Sequence, residues 1–469
     1  MDRHESTAEI LATLWQLAGG DPAALTQVAF RGTEPALPSS FRVGAAAQAS
    51  IAAAGLAAAE LWHLRTGKRQ RVAVDMRHAA VEFRSERYMR VAGQGAPPIW
   101  DKTAGIYKTG DGRRLRLHTN FPHHRERILR LLDCEPTRDA IQAALDKFQA
   151  VDFETRANEA GCAVSAVRSP EEWAVHGQGQ ALAALPTFTI EKIGEAPPRP
   201  LPQGSRPLSG LRVLELTRVI AGPVGGRTLA AHGATVMRIA APDLPTFDWL
   251  DKDTGRGKLS AFADIKTEAG RATLRKLLGD ADIFMQGHRP GAIAAAGFAP
   301  AEVARIRPGI VYVSLSAYGH TGPWANRRGF DSLVQTASGF NHAEGVAAGI
   351  DGPKELPAQA LDHAAGYFLA FGAVMARARQ AREGGSWLVR VSLAQAGRWI
   401  WNLGRLADGF KAPDPALADV GDLLETSASP FGEISAVRHA AELAETPATW
   451  ALPTVPLGTH AQVWPDAEQ

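Results

Sequence analysis

The chain has 469 residues, of which 45% are hydrophobic and 21% charged, as expected for a globular protein with more than one lobe. A net charge of +2 argues against a general affinity for polyanions, so no nucleic-acid partner is expected. Two cysteines, Cys134 and Cys162, exclude a disulfide framework, and without a CxxC pair no metal site is predicted. These features predict a cytoplasmic protein.

The N-terminal region predicts neither export nor a membrane anchor. The opening MDRHESTAEILATLWQLAGGD carries early charges and no long apolar run, unlike a secretory signal. The alanine-rich stretch 45–59 is predicted to be too short and too weakly apolar to cross a bilayer. No membrane association is therefore expected.

The predicted fold class is α/β, with a Rossmann-like, mostly parallel sheet lobe and a smaller α+β lobe joined by long crossing helices. Five prolines in EAPPRPLPQGSRPLSG (195–210) indicate a linker between the lobes. The predicted regions are N-terminal helices with a partial repeat (1–90), a small α+β domain (91–195), a Pro-rich linker (196–206), a Rossmann-like domain (207–405) and a C-terminal extension returning to the large lobe (406–469).

Alternating strand and helix patterns predict the parallel sheet of the large lobe. The short apolar runs LRVLELT, TVMRIA, DIFMQG and IVYVSLSAYG read as buried strands, with helical patterns between them. In the small domain, GIYKTGDGRRLRLHT predicts a hairpin with Asp111-Gly112 in its turn.

An internal repeat relates residues 52–76 to residues 370–393, each a long helix, a glycine turn and a strand. One offset pairs Gly67 with Gly384 and Val72 with Val389 (384 − 67 and 389 − 72 both equal 317). The same offset places Ala45 opposite Asp362.

Between residues 207 and 339 the sequence resembles the family III CoA-transferases, which include formyl-CoA transferase, carnitine-CoA transferase and α-methylacyl-CoA racemase. The resemblance rests on PLSGLRVLELTRVIAGP (207–223), LAAHGATVMRI (229–239), GRGK with ADIK (255–266), ADIFMQGHRPGA (281–292), RPGIVYVSLSAYGHTGPW (307–324) and GFDSLVQTASG (329–339), in the family's order. Residues 44–200 resemble the family's later portion and PLGTHAQVW (456–464) its ending, so the order is rearranged.

The resemblance implies that Asp362 is the nucleophile of a CoA-transferase. The family's catalytic aspartate precedes three residues and a glycine, as Asp362 precedes Gly366. An aspartate is ionised at neutral pH and needs no general base. The implied substrates are an acyl-CoA and a carboxylic acid, without a permanently bound cofactor, and the implied assembly is a homodimer.

The local pattern alone favours another role for Asp362, because an aspartate before a helical run is an ordinary helix N-cap. Asp331, in the GFD segment, is interpreted as a structural carboxylate. The run 339–352 is a candidate for the glycine-rich loop that the family closes over its aspartate.

The resemblance also implies contacts to CoA. The predicted residues are Arg218, Val219, Ile220, Ala221, Lys258, His288 and Tyr318. A solvated loop charge is the open alternative for Lys258 and Arg289. Three positions depart from the family pattern, with Ala240, Ala294 and Ala295 where the family often has charged residues. His118, His123 and His124 lack acidic or cysteine partners and are interpreted as a solvated helix start rather than a metal site.

The sequence leaves two alternatives to CoA transfer open. A racemase needs an acid/base pair, and the racemase branch has a histidine where this chain has Phe330, which argues against that activity. A catalytically silent CoA-binding or partner subunit is favoured by the three alanines and opposed by the retained Asp362.

Overall fold

The computed structural model describes residues 4–466 and has the predicted α/β architecture. Most of the buried apolar residues of the segment 4–91 pack into the same hydrophobic core as the large lobe. Its elements are α1 (Thr7–Leu17), β1 (Val28–Arg31), α2 (Val43–Thr66), β2 (Val72–Asp75), α3 (Met76–Glu82), α4 (Ser85–Tyr88) and β3 (Arg90–Val91), with a 3-10 helix at Pro22–Gln27.

The small lobe has a hydrophobic core of its own, which includes Leu115, Ile128 and Phe153. Its hairpin turns where the sequence predicts, with Gly112 in the left-handed region at a φ of 76°. The elements are β4 (Gly105–Lys108), β5 (Arg114–Leu117), α5 (Pro122–Leu132), α6 (Arg138–Leu145), α7 (Ala150–Glu159), β6 (Val164–Ala166), α8 (Pro170–Val175) and α9 (Gly177–Ala183).

The large lobe follows, and its buried strands match the apolar runs of the sequence closely. Its strands are β7 (Phe188–Gly194), β8 (Arg212–Leu216), β9 (Thr235–Ala240), β10 (Lys258–Phe262), β11 (Ile283–Gln286), β12 (Val311–Ser316) and β13 (Ser386–Ser392). Its helices are α10 (Ala221–Ala231), α11 (Asp248–Thr254), α12 (Glu268–Gly279), α13 (Pro290–Ala295), α14 (Pro300–Ile306), α15 (Asp331–Ala337), α16 (Phe340–Ala347), α17 (Ala360–Glu383) and α18 (Leu393–Asn402).

The large sheet is doubly wound. Within the described residues its strand order is β10-β9-β8-β11-β12-β13-β7, parallel except for β7. The chain adds β9 and β10 on one side of β8 and then β11 on the other, so the order reverses between β8 and β11. In open sheets of this kind, ligands bind in the crevice outside the carboxyl ends of the strands at that reversal.

The strand β7 departs from the predicted organisation, which placed residues up to 195 in the small domain. It pairs antiparallel with β13, with Ile190 opposite Val389, and forms an edge of the large sheet. An edge strand has one neighbour, so it tolerates the charged side chains of Glu191 and Lys192.

The C-terminal segment joins the N-terminal strands. Its strands are β14 (Leu424–Ser429), β15 (Gly432–Val437) and β16 (Ala441–Leu443). β15 pairs with β3, and β16 pairs with β2. The chain then runs along the large lobe, where the Trp464 indole donates a hydrogen bond to the Leu277 carbonyl at 2.9 Å.

The helices α2 and α17 pack against each other through the centre of the molecule. Each has 24 residues, and both bounds of α17 lie 317 positions after those of α2 (360 − 43 and 383 − 66). The helix α2 is longer than the alanine-rich stretch 45–59 of the sequence. Among the described residues it is the one helix that is long and apolar enough to cross a membrane. Its apolar window is wholly buried, as in the core helix of a globular protein.

The helices α10 and α17 cross at glycines. A Cβ on Gly366 would lie 2.7 Å from the Ala221 carbonyl oxygen, and one on Gly225 would lie 3.0 Å from the Gly366 carbonyl oxygen. The first contact is shorter than a Cβ tolerates, and the second is at the limit of what it tolerates. The glycines therefore bring the first turn of α17 next to the start of α10.

Candidate active site

A cleft of about 400 Å³ opens at the carboxyl ends of β8, β11 and β12, at the reversal of strand order. The large lobe supplies the turns that follow these strands and the segment 325–330. The small lobe supplies Phe121, His123 and His124, at the start of α5. The cleft therefore lies between the two lobes.

Asp362 lies in the wall of this cleft and is its only acidic residue among the described lining residues. It belongs to the first turn of α17, and its side chain is buried apart from a small accessible fraction. Gly366 follows one turn later on the same helix face, so the close contact of Gly366 with α10 places Asp362 beside Ala221. The Asp-x-x-x-Gly pattern thus has a packing reason.

The interpretation of Asp362 as a helix N-cap is wrong. The helix begins two residues earlier, and its N-cap is Gln359. The backbone N–H of Asp362 instead donates a hydrogen bond of 2.9 Å to the Asp331 carboxylate. Asp331 also accepts a hydrogen bond from the Gln335 amide, so it is Asp331 that satisfies the start of α17.

The two carboxyl groups interact unfavourably. Burial raises the pKa of Asp331 to about 6, against the hydrogen bonds it accepts. Burial also raises the pKa of Asp362 well above its ordinary value, and the negative charges of Asp331 and Glu86 add to this effect. Asp362 therefore loses its proton at higher pH than a solvent-exposed aspartate does.

Glu86 comes from α4, in the N-terminal segment, and sequence reasoning missed it. Its carboxylate lies 3.4 Å from Nε2 of His363, whose ring stacks on Phe83 at 5.3 Å. Burial opposes the ionisation of Glu86, but the contact with His363 outweighs it and lowers the pKa of Glu86. No local pattern marks Glu86, because only the tertiary fold brings α4 to α17.

Val219, in the cleft wall, has a φ of 73°, in the left-handed region. A β-branched residue avoids this conformation, and such strain costs roughly 1–3 kcal/mol. The strained turn joins the end of β8 to the start of α10 at Ala221. Backbone strain of this kind is concentrated at functional sites.

Four of the predicted CoA contacts line the cleft, namely Arg218, Val219, Ala221 and His288. The Arg218 guanidinium lies 5.0 Å from the centre of the Phe121 ring and donates to the Pro245 carbonyl at 2.7 Å. Burial, reinforced by Arg218, lowers the pKa of His288 to about 4. His288 is therefore neutral at physiological pH.

The other three predicted contacts, Ile220, Lys258 and Tyr318, lie outside the described lining of the cleft. Lys258 is 1% exposed and forms an ion pair of 2.7 Å with Glu215, so the solvated-charge alternative for it is wrong. Tyr318 is buried edge-on to Trp324. Arg289, by contrast, is exposed in the cleft wall.

A second cavity of about 350 Å³ adjoins the cleft and shares Arg218, Leu244 and His288 with it. It extends over the ends of β9 and β10, where Lys266 contributes a further cation. Two of the alanines that depart from the family pattern, Ala240 and Ala295, line this cavity. Their small side chains leave space there.

The histidines of the small lobe are not a solvated helix start. His118 and His124 are buried, and the His118 ring stacks on Phe330 at 3.8 Å. Burial lowers the pKa of both to about 3, with help from neighbouring positive groups. With Phe121 they form a neutral aromatic wall, which the sequence did not reveal because its partners lie far along the chain.

The run 339–352 does not form a loop over Asp362. Residues Phe340–Ala347 form α16, and none of its residues lines the cleft in the described part of the chain. Phe340 and Ala343 face the core from successive turns of the helix. Their spacing explains why a glycine-containing run becomes helical here.

The fold and the site define a doubly wound α/β protein with a carboxylate at the start of a buried helix, beside the reversal of strand order. A profile of the CoA-transferase family III matches residues 208–403. An acyl-CoA transferase of Gibberella moniliformis is 30% identical over 416 residues, covering 80% of this chain and 73% of that protein. The chain belongs to the CoA-transferase family III.

Other relatives overlap less of the chain. The acetyl-coenzyme A transferase nodX of Hypoxylon pulicicidum is 32% identical over 321 residues, which are 63% of this chain and 54% of that protein. The chain thus spans just over half the length of this relative. A crystal structure of a hypothetical protein from Mycobacterium tuberculosis aligns with 42% of this chain and 59% of its own, at 30% identity and a TM-score of 0.39.

Proposed function

We propose that this protein transfers CoA between carboxylic acids, with the Asp362 carboxylate as the covalent carrier. The observation that carries the proposal is the position of Asp362, the acid in the wall of a cleft at the reversal of strand order. The names of the two fungal relatives, an acyl-CoA transferase and an acetyl-coenzyme A transferase, support this class of reaction.

The proposed reaction balances without a further reactant. The Asp362 carboxylate attacks the thioester carbonyl and expels CoA thiolate, which leaves a mixed anhydride. The thiolate attacks the aspartyl carbonyl and releases the donor acid, so that Asp362 carries CoA as a thioester. The acceptor carboxylate then displaces CoA thiolate, and the thiolate attacks the acceptor carbonyl of the new anhydride. The new acyl-CoA leaves, and the Asp362 carboxylate is restored.

Each addition step places negative charge on a carbonyl oxygen, which needs hydrogen-bond donors. The start of α10, at Ala221, faces the cleft beside Asp362. Pro223 has no N–H group and the Val224 N–H donates to the Ile220 carbonyl, so Ala221 and Gly222 supply the backbone donors at this helix start. We assign the stabilisation of the oxyanion to this helix start. The strained Val219 turn holds it in position.

The second cavity suits the nucleotide end of CoA. Arg218 and Lys266 supply positive charge for phosphates, and the alanine-lined wall suits a flat ring. Neutral His288, between the two cavities, is placed to contact the ligand where it passes from one to the other. We propose that the pantetheine arm then reaches Asp362 along the cleft.

Transfer is favoured over racemisation by the position of Phe330. A racemase needs an acid/base pair beside the thioester. Phe330 has no ionisable group, and burial keeps the stacked His118 neutral by lowering its pKa to about 3. The retained Asp362 in an open cleft argues against the silent alternative.

The test is chemical trapping of the intermediate. Short acyl-CoAs are added to the protein with hydroxylamine, which cleaves aspartyl anhydrides and thioesters, and the adduct is mapped by mass spectrometry. We expect a hydroxamate on Asp362 that is absent in Asp362→Asn and present in Asp351→Asn, a control at an exposed aspartate. Measurable CoA binding without an adduct from any donor would refute the proposed carrier role.

A further inference from the structure

The turn that joins β8 to α10 is attached at both ends to one buried carboxylate, that of Glu215 in β8. At the start of the turn, the Thr217 hydroxyl donates a hydrogen bond of 2.6 Å to Oε1 of Glu215. At its end, Nζ of Lys258 lies 2.7 Å from Oε2 of Glu215 and donates to the Pro223 carbonyl at 2.8 Å. The turn 217–223 is therefore fixed from both sides.

The ion pair between Lys258 and Glu215 is closed to solvent and to both cavities. Lys258 is 1% exposed and Glu215 is fully buried. Neither residue lines the cleft or the adjoining cavity in the described part of the chain. A Cβ on Gly226 would clash with the Glu215 carboxylate and lie 2.9 Å from Nζ of Lys258, so α10 passes directly over the pair. Lys258 therefore acts on a bound ligand only through the backbone that it holds.

Stability alone does not explain a buried ion pair at this position. The attraction between two buried charges is offset by the loss of their hydration, so apolar side chains of similar size would contribute as much. The charges add direction, because one ammonium group holds a carboxylate and a backbone carbonyl together. Between the two attachment points lie Arg218, Val219 and Ala221, which line the cleft. The strained φ of Val219 persists only where the surrounding structure holds it.

We propose that Lys258 and Glu215 are positioning residues, whose ion pair keeps the N–H groups of Ala221 and Gly222 directed at the reacting carbonyl beside Asp362. This inference rests on the proposed function. Oxyanion donors lower the barrier most when they are held in position before the reaction. Loss of the ion pair should therefore slow the covalent steps and leave the affinity for CoA unchanged, because the cations of the second cavity remain in place.

The test removes both charges at once, because Lys258→Met alone would leave the Glu215 carboxylate buried and unpaired. In the double variant Lys258→Met/Glu215→Gln, hydroxylamine-dependent release of CoA gives kcat, and inhibition by free CoA gives the affinity for CoA. We expect kcat to fall by about tenfold or more, while the inhibition constant of CoA changes by less than about twofold.

Glu60→Gln with Arg69→Met is the matched control. It removes a partly buried ion pair of 3.0 Å, and among the described residues neither partner lines the cleft or the adjoining cavity. We expect kcat and the inhibition constant of CoA to match those of the wild-type protein. A loss of kcat equal to that of the Lys258→Met/Glu215→Gln variant would show that any buried ion pair matters equally, and would overturn the inference.

A second set of variants tests the other end of the turn without removing a charge. Thr217→Val keeps the shape of the side chain and loses the hydrogen bond to Glu215, whereas Thr217→Ser keeps the hydroxyl. We expect kcat to fall in Thr217→Val, and Thr217→Ser to retain more of the activity. If the Lys258→Met/Glu215→Gln variant melts below the wild-type protein, this comparison decides the role of the attachment.

The contrary outcomes are distinct. An unchanged kcat in both the double variant and Thr217→Val, with adducts still formed on Asp362, would overturn this inference alone. Weaker inhibition by free CoA with little change in kcat would assign Lys258 to CoA binding, and would overturn it as well. No adduct on Asp362 in the wild-type protein would overturn the proposed function and this inference together.

Discussion

Asp362 illustrates how one residue can oppose stability and serve reactivity. Its carboxyl is buried beside Asp331 and Glu86, and the pKa of Asp362 in the folded chain is therefore raised. In the unfolded chain an aspartate has a pKa near 3.9. The folded state consequently holds its proton more tightly, and its stability falls as pH rises from about 4 through the folded pKa of Asp362.

Asp362→Asn should therefore stabilise the protein. At pH 8 we expect the free energy of unfolding to rise, because a buried charge is removed. The gain should be nearly lost at pH 4, where the carboxyl is protonated in the folded state and about half protonated in the unfolded state. Urea unfolding at the two pH values measures this. A variant less stable than the wild-type protein at pH 8 would show that Asp362 makes a net favourable contact.

The charge of Asp331 should influence the pH below which kcat/KM falls, which is the acid limb of the pH profile. Asp331→Asn keeps an oxygen to accept the Asp362 N–H but removes a neighbouring negative charge, so the pKa of Asp362 should fall. The carboxylate is the reactive form, so the acid limb of kcat/KM should move to lower pH. The pH profile of hydroxylamine-dependent CoA release tests this. If the acid limb of the Asp331→Asn profile matches that of the wild-type protein, a group other than Asp331 controls the pH dependence of kcat/KM.

At the scale of elements, the site depends on how closely α17 approaches α10. The Gly366 position leaves no space for a Cβ, which would lie 2.7 Å from the Ala221 carbonyl oxygen and 2.8 Å from Cγ1 of Val224. The adjacent first turn of α17 carries Asp362, and the adjacent first turn of α10 forms the cleft wall. Any separation of the helices therefore changes the distance between nucleophile and oxyanion donors.

Gly366→Ala should lower both stability and activity. Overpacking of a closed core costs about 1–3 kcal/mol, which outweighs the better helix propensity of alanine. Gly279→Ala is the matched control, because it adds the same methyl group at the end of α12, where nothing in the described part of the chain outside that helix end lies within 4 Å. Thermal unfolding and the trapping rate should both decline only in Gly366→Ala. Equal behaviour of the two variants would contradict the proposed role of the crossing.

At the scale of the whole molecule, distant parts of the chain share one core. The main hydrophobic cluster includes Leu56 of α2, Leu369 of α17 and Leu443 of β16, whereas the small lobe has a separate cluster. The N-terminal segment, the large lobe and the C-terminal strands should therefore unfold together. The small lobe is expected to open more independently.

Leu56→Ala should destabilise the shared core by about 2–5 kcal/mol, through lost burial and a cavity. In hydrogen exchange, the amides of α2 and α17 should lose protection together, because both exchange through unfolding of the same unit. Leu115→Ala in the small lobe is the comparison, and it should affect the amides of α5 and α7 first. Loss of protection confined to α2 would show that the N-terminal segment is an independent unit.

Much of the large lobe could be predicted because its signals are local. Short apolar runs bounded by turns form β8, β9, β11 and β12. Runs of this kind predict the strands of a parallel sheet, which are covered on both faces. The predictions that failed were those that depended on neighbours. The run 339–352 becomes a helix because Phe340 has a core to face, and His124 is buried because the large lobe covers it.

The sequence by itself determined the class of fold, the parallel strands, the family resemblance and the candidate role of Asp362, because periodicity and motif spacing are properties of adjacent residues. The tertiary structure alone decided which carboxylates surround Asp362, which predicted cations are already paired, and which arginines line the cleft. Burial, charge pairing and the resulting pKa shifts depend on distances between residues remote in the chain. Glu86, Asp331 and Asp362 come together only when α4, α15 and α17 pack.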